Sequence, residues 1–366
     1  MVCGIEPAAN STLCDGPGTS RCISNPPSTR DKNAVKTSKL LNVGVLLLST
    51  VISISLAEIA VRLFVPVRDV GPSFTVYDSV FGKRLKAAFR GERVTPEFRM
   101  RISTNSGGFR GPEPEGPLLH PIVFLGDSFT LGYGVSDGDE FPARVEAALR
   151  RVYADRAPQI VNAGIGDTGN GYWIKFLRGK ATTLQPRLVV MQVFENDFYD
   201  NISEKLFEWK PGEPLRELPV PEQSLMRRLQ GIVEAIPGLS NSYLVGLFRQ
   251  LRLPTFGTRD RPSKMSSRSR EDLGDQLTIQ ILSEAISICQ GNGWKILGLL
   301  VGLQDAHYEA VRNLFAHHGV TSVAIPAKSE RPELYYKIDG HWNAYGHAFT
   351  ADRVLEVLGS LAILDP

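Results

Sequence analysis

From about residue 121 onward, short apolar runs alternate with segments in which apolar residues recur at helical spacing. The apolar runs predict strands, and the longer period predicts amphipathic helices. The predicted strands are Pro121–Leu125, Gln159–Asn162, Leu188–Phe194, Lys295–Val301 and Thr321–Ile325. The predicted helices are Glu140–Tyr153, Gly171–Thr183, Gln276–Gln290, Ala306–His317 and Ala344–Leu358. Because strands that alternate with helices form parallel sheets covered on both faces, the pattern predicts an α/β fold.

A different pattern lies near the start of the chain, where the 18 residues Leu40–Ala57 carry no charge. This length is at the lower limit for crossing a hydrocarbon core of about 30 Å, and apolar character continues to residue 65. Lys32, Lys36 and Lys39 precede the segment, so the positive-inside rule keeps the N-terminus in the cytoplasm. We therefore expect a single-pass anchor over residues 40–65 in the inner (cytoplasmic) membrane, with the body on the outer, periplasmic side.

Two alternatives remain for this apolar segment. Ser55-Leu56-Ala57 resembles a signal-peptidase site, and cleavage there would leave the body secreted. The segment could also be a buried core helix, although the flanking lysines and its position before the folded body favour an anchor.

The rest of the chain divides into a tail and a body with an insertion. Residues 1–39 are rich in Pro, Gly, Ser and Asn and are expected to form a disordered cytoplasmic tail. The body extends over residues 66–366. Within it, residues 201–272 interrupt the alternation with several prolines and a basic stretch at 252–270. We interpret this stretch as an insertion beside the rim of the functional site, which either contacts substrate as a lid or forms a solvated surface loop.

Composition and charge exclude some classes of function. The chain has 366 residues, 42% of them hydrophobic, which allows one large core. Its net charge of +2 arises in residues 1–39, because the remainder holds 36 basic and 36 acidic residues. A neutral body lacks the basic face that phosphate binding needs, so no nucleic-acid partner is expected. The body contains one cysteine, Cys289, so it can hold no internal disulfide, and the spacing of Cys3, Cys14 and Cys22 in the tail does not match a zinc site.

The tripeptide Gly126-Asp127-Ser128 directly follows the first predicted strand. A serine there places its hydroxyl at the carboxyl edge of the sheet, where function gathers in parallel sheets. Ser128 can therefore act as a nucleophile, and nearby backbone N–H groups, its own included, can stabilise an oxyanion. Taken alone, the tripeptide is more often a plain helix N-cap.

Two further loops at the same edge supply candidate oxyanion donors. Asn196 follows the strand Leu188–Phe194, and its side-chain amide can donate to a developing negative oxygen; its alternative role is an Asx turn or a helix cap. After the strand Gln159–Asn162, a glycine would let a main-chain N–H approach the substrate closely. Gly166 and Gly164 are the candidates, and spacing alone does not choose between them.

The segment Asp339-Gly340-His341 precedes the last predicted helix and supplies a base. His341 can take the proton from Ser128 and return it to the leaving group, while Asp339 orients the ring and stabilises its charged form. A metal site is the alternative, but no other cluster of metal-ligating residues in the sequence repeats the spacing. We therefore expect neither a metal nor another cofactor.

Together these segments resemble the four sequence blocks of the SGNH/GDSL hydrolase superfamily, over roughly Tyr77 to Leu358. The blocks correspond to Ser128 in GDSF, Gly166 or Gly164 in NAGIGDT, Asn196 in END, and Asp339 with His341 in DGHWN. The upstream NSGGFRG resembles a segment of membrane-anchored bacterial members. The resemblance implies a flavodoxin-like three-layer α/β/α sandwich and hydrolysis or transfer of acyl groups without a metal.

Three departures from the family pattern accompany the resemblance. The third block of the family is usually Gly-x-Asn-Asp or Gly-Asn-Asp, whereas here Glu195 stands directly before Asn196. The second block is one residue shorter than the common form, and Asp339 and His341 are two residues apart where three is commoner.

The function expected from the sequence is a serine esterase acting on acyl esters, with O-acetyl groups of cell-surface carbohydrate or lipid as substrate. An O-acyltransferase to polysaccharide would use the same residues. The alternatives from other classes are a catalytically silent, anchored carbohydrate-binding protein and a membrane-surface adaptor acting through residues 252–270.

Overall fold

The structure is a computed structural model that describes residues 32–223, 228, 231–232, 236, 238–257 and 267–360. Side chains within 32–38, 252–257, 267–271 and at 360 are outside this description. Cys3, Cys14 and Cys22, and most of the predicted disordered tail, therefore lie outside the described residues. The chain divides into two compact units, Met1–Leu56 and Ala57–Pro366.

The first helix, α1, covers Lys32–Phe64, and the sequence-predicted anchor falls within it except for its last residue. Its apolar part, Lys39–Phe64, has 26 residues and would extend about 39 Å at the rise of an α-helix. Within the described part of the chain it is the one helix long and apolar enough to cross a membrane, and a signal sequence meets the same criteria. The helix begins at Lys32, inside the tail predicted to be disordered up to residue 39, because extending a formed helix costs little per residue.

Within the residues that the structure describes, the body contains eleven strands in one parallel sheet and three small hairpins. Two hairpins precede the sheet, namely β1 (Thr75–Asp78) with β2 (Gly82–Leu85) and β3 (Arg90–Val94) with β4 (Arg99–Ser103). The sheet contains β5 (Ile122–Leu125), β6 (Ile160–Asn162), β7 (Leu188–Phe194), β10 (Lys295–Val301) and β11 (Thr321–Ile325). The third hairpin is β8 (Phe207–Glu208) with β9 (Arg216–Glu217).

The helices of the body whose bounds the structure describes are α2 (Ser128–Leu131), α3 (Phe141–Tyr153), α4 (Gly171–Arg178), α5 (Lys180–Leu184), α6 (Asp197–Glu204), α7 (Tyr243–Gly257), α8 (Ser267–Gly291), α9 (Asp305–His317) and α10 (Ala344–Ser360). Short 3-10 turns cover Ala154–Arg156, Leu239–Asn241 and Pro332–Leu334.

The sheet has the strand order β11-β10-β7-β5-β6, and all its pairings are parallel. Numbered along the chain, this is the order 2-1-3-4-5 of flavodoxin-like folds. One hydrophobic cluster covers one face with α4, α8 and α9, and a second covers the other face with α3 and α10. The predicted three-layer α/β/α sandwich is confirmed. In this strand order the switch point, where ligands bind in such sheets, lies between β5 and β7.

Two predicted helices differ from those observed. The segment predicted as one helix over Gly171–Thr183 is two helices, because Gly179 adopts a non-helical conformation with φ −101° and ψ −94°. The helix predicted to begin at Gln276 begins at Ser267, within the stretch assigned to the insertion. Its first turns are polar, so the helical spacing of apolar residues becomes visible only further along the chain.

The described parts of the insertion pack on two places in the body. The Glu217 carboxylate pairs with Lys175 of α4. In α7, a side chain added at Gly246 would lie 2.8 Å from Val67 and 3.1 Å from the Asp69 carbonyl. Glu58, near the end of α1, accepts hydrogen bonds from Ser242, Tyr243 and Leu244 at the start of α7.

Candidate active site

The predicted nucleophile, Ser128, is the first residue of α2, three residues after the end of β5. Asp127 caps this helix, and its Oδ1 accepts the Phe129 N–H at 2.8 Å. The turn between strand and helix is tight at Gly126, where an added Cβ would lie 2.2 Å from the Thr130 hydroxyl oxygen. Only glycine fits there, so packing accounts for Gly126 and helix capping accounts for Asp127.

His341 joins Ser128 and Asp339, which are 211 residues apart in sequence. The His341 Nε2 lies 2.7 Å from the Ser128 Oγ, and the His341 Nδ1 lies 2.5 Å from the Asp339 Oδ1. Because the Asp339 carboxylate can only accept a hydrogen bond, the neutral His341 ring carries its proton on Nδ1. Its Nε2 then presents a lone pair to the serine hydroxyl. The ring also contacts two aromatic rings, Phe129 at 5.1 Å and Tyr133 at 5.0 Å between centroids.

The loop that carries His341 is held by backbone pairing on both sides. The Tyr336 N–H donates to the His341 carbonyl at 2.8 Å, and Tyr335 forms a bridge with Trp342. Gly340 between Asp339 and His341 has φ +88°, a conformation that favours glycine. The side chain of Asn343 then caps the following helix by accepting the N–H groups of Tyr345 and Gly346.

The two candidate glycines of the second block differ in their surroundings. The Gly164 N–H donates to the Asn162 Oδ1 at 3.1 Å, and an added Cβ there would lie 2.3 Å from the backbone nitrogen of Leu131. Gly164 therefore serves the packing of α2 against the loop. Gly166 faces the serine instead, since its added Cβ would lie 3.4 Å from the Ser128 Cβ. The carbonyl of Gly166 accepts the Lys83 ammonium at 2.6 Å, which fixes this loop from the first hairpin.

Asn196 precedes α6, on the other side of the switch point from Ser128. Its Nδ2 donates to Asp200 at 3.0 Å, and its buried Oδ1 has no hydrogen-bond partner within the described residues. An amide nitrogen carries two hydrogens, so one is left for a second acceptor. Asp197 fastens the turn: its Oδ2 accepts the Phe194 N–H at 2.9 Å and the Asn170 amide at 3.0 Å.

Two buried carboxylates lie behind the serine and the turn at Asn196. Asp127 is 1% exposed, and burial raises its pKa from 3.8 to about 6. Burial also raises the pKa of Asp197 well above its usual value, and the neighbouring Asp127 adds to this. A hydrogen bond from Phe129 and the nearby His341 act in the opposite direction on Asp127. Burial thus disfavours the ionised forms of both carboxyl groups.

Arg110, in the NSGGFRG segment, has a fully buried guanidinium, and its role is not predicted from the sequence. It donates to the carbonyls of Leu131, Gly132 and Val135, each at 2.7 Å, and so holds the chain directly after α2. Its Nη2 also lies 3.7 Å from the buried carboxylate of Glu140. An arginine within a turn-rich segment is the sequence feature that could have indicated this role.

Glu195, the departure from the family pattern, belongs to a cluster with His307. The His307 Nδ1 lies 2.8 Å from the Glu195 Oε1, and its Nε2 lies 2.9 Å from the Asp275 Oδ1. The ring stacks on Phe198 at 3.8 Å between centroids. The second oxygen of Glu195 accepts the Gln304 N–H at 2.9 Å. These contacts connect the turn that carries Asn196 to α8 and α9. Their partners are far apart along the chain, so no local sequence pattern predicts them.

Comparison with known proteins found matches among solved structures. No protein-family model matches the chain, and no curated protein matches it. The structure is similar to LAE5, an alpha/beta hydrolase enzyme from the metagenome of Lake Arreo, Spain, with 14% identity and a TM-score of 0.40 over 69% of this chain and 100% of that one. It is similar to a catalytic mutant of Axe2, an acetylxylan esterase from Geobacillus stearothermophilus, with 14% identity and a TM-score of 0.41 over 66% of this chain and 94% of that one. It is also similar to the psychrotrophic esterase EstA from Pseudoalteromonas sp., with 10% identity and a TM-score of 0.40 over 66% and 98% of the two chains. At such identities, function has to be argued from the residues of the site.

Proposed function

We propose that this chain is a serine-dependent ester hydrolase of the SGNH/GDSL superfamily. The observation that carries the proposal is the continuous hydrogen-bonded series from the Ser128 hydroxyl through His341 to Asp339. It lies at the carboxyl end of β5, beside the switch point of a flavodoxin-like sheet. A nucleophile, a base and a group that orients the base are what acyl transfer through a covalent intermediate requires.

In the proposed mechanism the Ser128 Oγ attacks the carbonyl carbon of the ester while His341 Nε2 takes the hydroxyl proton. Asp339 stabilises the imidazolium that results. The tetrahedral intermediate collapses when the carbon–oxygen bond to the alcohol breaks, and His341 gives its proton to the leaving oxygen. Water, deprotonated by the same ring, then attacks the acyl-enzyme and releases the acid and the free serine.

The proposed oxyanion hole consists of the N–H groups of Ser128 and Gly166 and the side-chain amide of Asn196. The approach of Gly166 to Ser128 and the use of the Gly164 N–H by Asn162 favour Gly166 over Gly164. Asp200 holds one hydrogen of the Asn196 amide and so orients the other. Removing one such donor typically costs about 10²–10³ in rate.

The proposed substrates are acyl esters, with O-acetyl groups on cell-surface carbohydrate or lipid as the class. This part of the proposal follows from the apolar segment at residues 40–65 and the lysines before it, which would hold the body on the outer side of the inner membrane. An anchored enzyme meets esters at the cell surface before it meets diffusing ones. A carbohydrate hydroxyl that accepted the acyl group in place of water would make the same residues a transferase.

The test is covalent labelling of the full chain, in detergent micelles, with a fluorophosphonate probe. Wild type is expected to be labelled, and the variants Ser128→Ala and His341→Ala are expected to remain unlabelled. Ser287→Ala is the matched control, because Ser287 lies exposed on α8 and its hydroxyl donates to the Ser283 carbonyl of the same helix. Absence of labelling in folded wild type would favour the silent binding protein. A change from released acetate to acetylated sugar, on adding a polysaccharide acceptor, would identify a transferase.

A further inference from the structure

The tip of the β3–β4 hairpin is a tight turn far from the site in sequence. Thr95 closes this turn: its hydroxyl oxygen accepts the N–H groups of Glu97 and Phe98, and its own N–H donates to the Phe98 carbonyl. The side chain of Glu97 therefore projects from a backbone with little freedom. A side chain fixed at its base can hold another segment in place at a small entropic cost.

The Glu97 carboxylate receives three consecutive backbone N–H groups of the loop that carries Asp339 and His341. Its Oε1 accepts the Lys337 N–H at 2.8 Å. Its Oε2 accepts the N–H groups of Ile338 at 2.8 Å and of Asp339 at 2.7 Å. Successive N–H groups that converge in this way form a concave site for an anion. Hydrogen bonds to a charged acceptor are roughly twice as strong as neutral ones.

Aromatic packing brings the same turn against both sides of the candidate active site. The Phe98 ring lies 4.8 Å from that of Tyr336 and 5.4 Å from that of Tyr133. Tyr336 donates its hydroxyl to the Gly134 carbonyl at 2.9 Å, and Tyr133 contacts the His341 ring. The hairpin tip thus touches the loop after α2 and the loop before α10 together.

We propose that Glu97 is a positioning residue, which holds the backbone of residues 337–339 so that Asp339 faces the His341 ring. The inference rests on the proposed function for its kinetic consequence, and on the hydrogen bonds to Glu97 for its geometry. The Asp339 N–H donates to the Glu97 carboxylate, and the Asp339 Oδ1 lies against the His341 Nδ1. A movement of the Asp339 backbone away from Glu97 would therefore displace its carboxylate from the His341 ring.

The variant Glu97→Gln tests this with almost no change in size. An amide has one oxygen and one NH₂ group, so in either orientation it turns a donor toward at least one of the three N–H groups. The loop must then move away. A displacement of about 1 Å in a catalytic group can cost about 10²-fold in rate, so we expect kcat to fall about 10- to 100-fold. KM should change less than about twofold, because no substrate contact is removed.

Glu92→Gln is the matched control, since Glu92 lies on the same hairpin and its carboxylate pairs with the exposed Arg99. Its kcat is expected to equal that of wild type. Glu97→Ala is a second variant, which removes the carboxylate without adding a donor and is expected to lower kcat in the same direction. Activities are divided by the folded fraction from circular dichroism, and a kcat of wild-type size in either folded Glu97 variant overturns the inference.

A combined variant separates positioning from general loss of structure. If Glu97 acts through Asp339, the double variant Glu97→Gln/Asp339→Asn should be no slower than Asp339→Asn alone. Independent, multiplying losses would overturn the inference.

A measurement that does not depend on enzymatic activity tests the positioning role separately from the proposed function. In full chain labelled with ¹⁵N-histidine, the ring nitrogens of His341 report which one carries the proton, and Glu97→Gln is expected to mix the two forms. An inactive wild type with this change would refute the esterase and support the positioning role. An active wild type with unchanged His341 signals in Glu97→Gln would refute the positioning role alone.

Discussion

Replacing Asp127 with Asn should make the protein more stable at neutral pH and leave its stability at acid pH nearly unchanged. The Asp127 side chain is buried, its Oδ1 caps α2, and its Oδ2 has no hydrogen-bond partner in the part of the chain that the structure describes. Asn keeps the capping oxygen and the size of the side chain. What it removes is the ionised form, which burial disfavours.

The size of the effect follows from the pKa, which rises from 3.8 to about 6 on folding. A folded-state pKa above the unfolded one means that the native state holds the proton more tightly between these two values. The stability due to Asp127 is therefore fully present below about pH 4 and is lost as the pH rises through about 6. A difference of about two units corresponds to roughly 3 kcal/mol, so Asp127→Asn should exceed wild type by up to roughly 3 kcal/mol above about pH 7.

The assay is guanidinium unfolding of the full chain in detergent micelles, followed by tryptophan fluorescence from about pH 4 to about pH 8. The free energy of unfolding of wild type should fall with rising pH relative to the variant. Asp155→Asn, which removes an exposed carboxylate at the end of α3, is the control for loss of net charge. A gap between Asp127→Asn and wild type that does not vary with pH would refute the reasoning.

Three further changes test other contacts of the site. Asp339→Asn should lower kcat by about 10²- to 10⁴-fold in steady-state kinetics, because an amide favours the wrong tautomer of His341; a loss below about tenfold would count against the proposed base. Arg110→Met should lower the free energy of unfolding by about 3–5 kcal/mol in denaturant titration, because three carbonyls and the Glu140 carboxylate lose their buried partner; a loss under about 1 kcal/mol would contradict this. Glu195→Gly, the residue usual in the family, should cost about 2 kcal/mol in the same titration through its bonds to His307 and Gln304, and a neutral result would mean that the cluster is incidental.

The five sheet strands could be predicted from the sequence to within two residues at each end. Leu188–Phe194 and Lys295–Val301 were predicted with the bounds that the structure shows. Strands buried on both faces are continuous apolar runs, and such runs are visible locally. The predicted nucleophile, base and Asn196 were located in the same way, because each directly follows a strand or precedes a helix.

Helix interruptions were less accessible to prediction. The break at Gly179 depends on one backbone conformation, which the apolar period on either side does not reveal. The early start of α8 is hidden in polar residues, and the choice between Gly164 and Gly166 depends on which of them packs against α2.

What the sequence by itself determined is the α/β class, the apolar segment at residues 40–65 and the three groups of polar residues, because all of these are patterns over neighbouring positions. The tertiary structure decided which of these groups meet: it placed His341 on Ser128, Glu97 under the loop of Asp339, and His307 on Glu195. These contacts join residues more than 100 positions apart. Such pairs come together only when the order of the strands brings their loops to one edge of the sheet, and a hydrogen bond between distant residues imposes no period on the chain around either of them.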